Sequence, residues 1–167
     1  MLLRRFRGPN GIFQMIALLE SSSEERQHTL LKAFASENPG LASLLKTKVL
    51  TPAHIFSWDE KSLEPLFADL AAAPSDFLGG TLALVQSLHD PEALGVFVRG
   101  LEPLVSKTRF AELRTIAEKT TDTAVLDGVR TRLLTKVREL ERTGLLEIAT
   151  FDPAKAAAGP SPSGHAA

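Results

Sequence analysis

The side chains that most often do chemistry are sparse here and badly spaced for it. His28, His54, His89 and His165 lie far apart, and none belongs to a ligand pair such as His-Glu-x-x-His. Cysteine is absent, which removes disulfides and thiolate-bound zinc. Gly79-Gly80-Thr81 lacks the Lys-Ser/Thr that completes a phosphate loop, so it is expected to be a bend or a close helix contact. No serine stands in a Gly-x-Ser-x-Gly turn. The carboxylate pairs Glu24-Glu25 and Asp59-Glu60 fall at expected helix starts, where the helix dipole favours negative charge. No catalytic residue, cofactor site or metal site is predicted, and the chain is expected not to be an enzyme.

The remaining polar feature is a charged segment at 106–119. Ser106 is expected to cap a helix with Phe110, Leu113, Ile116 and Ala117 inward. Lys107, Arg109, Glu112, Arg114, Glu118 and Lys119 fall on its other faces, where they can meet a partner protein. Each exposed pair is worth only about 0–1 kcal/mol, so such a contact needs an array.

The elements that would position these charges read as helices throughout, because no segment alternates with period two. Ile12, Met15, Ile16 and Leu19 share a face, and Ser21 to Ser23 break that helix and cap the next. Leu30, Leu31 and Phe34 form the apolar side of the second helix. Asn38-Pro39 opens a third, with Leu41, Leu44, Leu45 and Val49 at helical spacing. The pattern stops at Thr51-Pro52, and a short apolar joint leads to Trp58, expected to plug the core. Asp59 or Ser62 then caps a helix carrying Leu63, Leu66, Phe67 and Leu70; Pro65 would bend it if Asp59 is the cap. Asp90-Pro91 starts another, and a final helix carries Leu126, Val129, Leu133, Val137 and Leu140, with Gly144 suited to its C-terminal turn.

Several of these motifs resemble the C-terminal half of the flagellar motor switch protein FliG. The matching residues are Glu37-Asn38-Pro39, Leu41-Ala42, Lys46 to Lys48, Val49 to Pro52, His54-Ile55, Trp58-Asp59-Glu60 and Ser62-Leu63, with 137–148 (VRELERTGLLEI) similar to the family's ending. The resemblance implies an all-α, right-handed superhelical fold of armadillo-like blocks joined by a hinge. With the helix pattern it gives a flexible segment at 1–10, a three-helix block at 11–50, a hinge at 51–58 and a helical domain at 59–150; the stretch at 151–167, rich in Ala, Pro, Gly and Ser and without apolar anchors, is expected to be a disordered tail. The hinge proper is expected at Val49, Leu50, Thr51 and Pro52.

In that family the helix corresponding to 106–119 presents charges to the membrane stator. Lys107 and Arg114 match its pattern, but the two acidic positions fall on Thr115 and Ile116, and Thr120-Thr121-Asp122 replaces the family's Gly-Pro-Val-Arg loop. Torque transfer therefore lacks half its array. The expected role is protein–protein interaction, with Ile16, Leu19, Leu41, Leu44 and Leu45 as the uncovered docking face of the first block. The implied partners are flagellar switch or stator proteins, or a second copy of the chain, at a cytoplasmic location beside the inner membrane near the flagellar base. The rival reading is a non-flagellar helical adaptor sharing only the superhelical fold.

Charge and hydropathy narrow the partners further. Net charge is −1, without the broad basic face that nucleic acid requires. No apolar run approaches the roughly 20 residues of a membrane helix. The start, Met1 to Gly8, is basic and apolar; it reads first as a frayed tail and second as a weak contact with a membrane surface or a partner.

Overall fold

The computed structural model describes residues 1–148. The expected tail at 151–167 lies outside the described residues. Among them the chain is all-helical, with no strand. In order come a 3-10 turn at Leu3–Phe6, α1 (Gly11–Glu20), α2 (Glu24–Glu37), α3 (Pro39–Lys48), the short α4 (Pro52–Ile55), α5 (Glu60–Ala71), α6 (Ser75–Ser87) and α7 (Pro91–Leu101). A 3-10 turn at Glu102–Leu104 then leads to α8 (Lys107–Lys119) and α9 (Thr123–Arg142).

Local chemistry sets most of these boundaries. Ser23, Asn38, Thr51, Asp59, Asp90, Ser106 and Asp122 each accept a backbone N–H of the helix they precede, satisfying donors that have no partner within the helix. Asp59 rather than Ser62 caps α5, so Pro65 stands inside that helix and offers no N–H to the carbonyl of Lys61. Gly144 takes a φ of +74° just past α9, a conformation that costs a residue without Cβ little.

Two hydrophobic clusters form. The first holds Met15, Leu19, Phe34, Ala42, Leu45 and Val49, from α1, α2 and α3. The second starts at Leu50 and runs through the joint and α5 to α9 as far as Leu146. Trp58 is buried in it, edge-on to His54 at 5.5 Å. Val49 and Leu50 are adjacent in sequence yet belong to different clusters.

The centre of the second unit is α6, in which every residue from 77 to 85 is buried. Its two glycines make this possible. A Cβ at Gly79 would overlap Ile116 of α8, and one at Gly80 would crowd Val129 of α9. Gly79-Gly80 is thus a close helix contact inside a continuous helix, not a bend.

Residues 1–10, expected to be flexible, are seated on the first unit. The amides of Leu2 and Leu3 donate to the Glu37 carboxylate at 2.5 and 3.1 Å, and Phe6 meets Phe34 edge-on at 6.1 Å. Alternation of Leu2, Leu3 and Phe6 with arginines lets one side of the turn pack while the other stays wet.

Candidate functional site

The two units meet through polar side chains that the sequence reading did not single out. Glu20, at the end of α1, is only 8 % exposed. Its Oε1 accepts the backbone N–H of Leu50 at 2.9 Å and Nη2 of Arg138 at 2.5 Å, and its Oε2 accepts Arg138 Nε at 3.1 Å. Arg138 also donates to the Lys48 carbonyl and to Glu141. Burial opposes the charge on Arg138, but bonding and attraction to Glu20 and Glu141 outweigh it and hold its pKa above the ordinary arginine value. About two turns earlier on α9, Arg130 is 6 % exposed. It donates to the Ser22 carbonyl and to Gln27 Oε1, with Asp127 3.8 Å from its Nε. The only sequence signal for this junction was a glutamate closing an apolar helix and arginines flanking the α9 stripe.

Beside the junction lies a groove of about 410 Å³. Phe13, Ile16, Ala17 and Glu20 of α1 form one wall, Lys48 ends α3 at another, and Arg138 and Glu141 of α9 close it. Phe13 is 71 % exposed, although it is a large apolar ring. Leu44, 41 % exposed, precedes Lys48 by four residues and so shares its side of α3. The groove therefore combines an apolar wall with paired charges.

The residues expected to bind a partner fall into three groups. Ile16 lines this groove, Leu44 is exposed and Leu41 is half-buried against the first cluster. Leu19 and Leu45 are fully buried inside that cluster, where they hold the unit together. On α8, Lys107, Glu112, Arg114, Glu118 and Lys119 are exposed. Lys107, Arg114 and Glu118 are spaced by seven and four residues and align along one side of the helix. Arg109 turns the other way: its two terminal nitrogens donate to the carbonyls of Ala71 and Ala73, closing the C-terminal end of α5. In the hinge segment Val49 and Leu50 are buried, Thr51 caps α4 and Pro52 is its first residue.

Among the described residues no cluster of three or more His, Asp or Glu is placed to hold a metal ion, and no helix is long and apolar enough to cross a membrane. Comparison with protein-family models, curated proteins and solved structures finds no match for this chain.

Proposed function

We propose that this chain is a helical protein–protein interaction module that docks a partner in the groove between α1, α3 and α9. The observation that carries this reading is Phe13, a large aromatic ring left exposed at the mouth of a groove that Ile16 and Ala17 continue. Buried aromatic anchors supply a large share of the binding energy of protein interfaces, and an exposed one beside a groove is a ready anchor. The paired charges of Glu20, Arg138 and Glu141 at the opposite wall would set the orientation of the bound segment.

A narrower reading makes the chain a FliG C-terminal-like protein of the flagellar motor switch, its blocks stacked as an armadillo-like superhelix and its location cytoplasmic, beside the inner membrane. The sequence motifs at 37–67 and 137–148 support it, as does the line of Lys107, Arg114 and Glu118 on α8. The inward turn of Arg109 and the missing acidic positions weigh against a torque role. The groove favours the broader interaction reading, in which a non-flagellar adaptor is equally accommodated.

The test is binding of purified flagellar switch and stator proteins to the chain and to Phe13→Glu and Leu44→Glu, alongside sedimentation equilibrium of the chain alone. Binding lost in both variants supports the motor reading. Self-association lost in both makes the partner a second copy. A monomer unaffected by either variant, and bound by nothing, contradicts the groove as a docking site.

A further inference from the structure

The N-terminal corner concentrates positive charge in a chain whose net charge is −1. Arg4, Arg5 and Arg7 fall within four consecutive positions, and no acidic residue precedes Glu20. All three arginines are exposed, and none takes part in an ion pair among the described residues. They are not on a free tail. Glu37 fixes the amides of Leu2 and Leu3, Phe6 packs edge-on against Phe34, and the N–H of Gly11 donates to the Gly8 carbonyl at 3.1 Å. A Cβ at Gly11 would overlap the Phe6 carbonyl, so the turn lies directly against the first residues of α1. Ile12, the next residue of α1, is 41 % exposed, and Met1 is exposed as well.

We propose that this corner binds an anionic lipid surface. Guanidinium groups fork to phosphate oxygens, and their attraction to a negative leaflet adds up over neighbouring cations. The apolar side chains of Met1 and Ile12 suit the boundary between headgroups and acyl chains. An acidic peptide is the competing polyanion. Three cations held by one fixed turn, with the exposed apolar side chains of Met1 and Ile12 near them in sequence, fit a charged plane that is apolar just beneath. None of Met1, Arg4, Arg5, Arg7 and Ile12 lines the α1–α3–α9 groove, so this inference stands or falls independently of the partner reading.

The experiment is co-sedimentation of the full chain with vesicles of phosphatidylglycerol and phosphatidylcholine in equal parts, and with vesicles of phosphatidylcholine alone. Binding is expected to the first only, to fall as salt is raised, and to drop about fivefold for each arginine replaced, on the order of a hundredfold for Arg4→Gln/Arg5→Gln/Arg7→Gln. Because the three side chains are exposed, circular dichroism of the triple variant should match the parent. Equal binding to both vesicles, no binding to either, or an unaffected triple variant overturns the proposal. Capture by polyglutamate without vesicle binding also overturns it and makes the corner a protein contact.

Discussion

Glu20 and Arg138 are 118 positions apart and form one of the ties between the two units: Arg138 Nη2 sits 2.5 Å from Glu20 Oε1, and the same carboxylate oxygen accepts the N–H of Leu50 where the chain crosses from one cluster to the other. The backbone crossing and the side-chain bridge thus share one acceptor. Removing that acceptor strands a buried amide and leaves the partly buried guanidinium with Glu141 and the Lys48 carbonyl alone. Glu20→Ala should lower stability by about 3 kcal/mol. A double-mutant cycle with Arg138→Met, read from urea unfolding, should show a coupling of at least about 1 kcal/mol. Additive losses would mean that the units are held by something else.

The contact of α6 with α8 depends on Gly79 having no side chain. An added Cβ would stand 2.5 Å from Ile116 Cγ2. Gly79→Ala should destabilise by about 1–3 kcal/mol through overpacking, and Gly79→Ala/Ile116→Ala should recover part of the loss. Thermal unfolding of the two variants beside the parent checks this. A stabilised single variant, from better helix propensity, would show that α8 shifts freely.

Arg109 and its neighbours on α8 should separate cleanly. Arg109→Met leaves the carbonyls of Ala71 and Ala73 without their donor and should cost about 1–2 kcal/mol. Arg109→Lys should restore little of it, because one ammonium nitrogen replaces the two separate guanidinium nitrogens that meet the two carbonyls. Lys107→Gln, Arg114→Gln and Glu118→Gln should leave stability within about 0.5 kcal/mol. Denaturant midpoints of the five variants decide it.

Acid should weaken the chain in part through Asp59. The Ser62 hydroxyl and amide hold its carboxyl below the ordinary aspartate value. A carboxylate with a lowered folded-state pKa adds stability above its unfolded value and loses it as pH falls through the lowered one. Glu37, held low by the amides of Leu2 and Leu3, acts in the same sense. Asp59→Asn keeps a capping side chain without the titration. Its melting temperature should therefore fall less steeply than the parent's below about pH 4. Parallel slopes would remove Asp59 from the acid response.

The helical elements were legible where one residue sets a local rule. Asn38-Pro39, Asp90-Pro91 and Ser106 announce helix starts, and the stripe from Leu126 to Leu140 marks α9, because capping and amphipathicity depend on near neighbours. The polar junction was not legible. Glu20, Arg130 and Arg138 look like solvated residues in sequence, and only the packing of α9 against the first unit buries them. Leu19 and Leu45 show the converse limit: periodicity places them on an apolar face but cannot say whether that face looks inward within its own unit or outward to a partner. Phe13, off the main α1 stripe, was missed for the same reason.

The most direct test of the docking groove is cross-linking in intact cells from a photoreactive amino acid placed at Phe13, with a second site at Glu92 of α7, which is exposed and outside the groove. The interaction reading predicts one discrete protein adduct from position 13, abolished by Leu44→Glu, and none from position 92. Equal, diffuse labelling from both positions, or none from either, would contradict it.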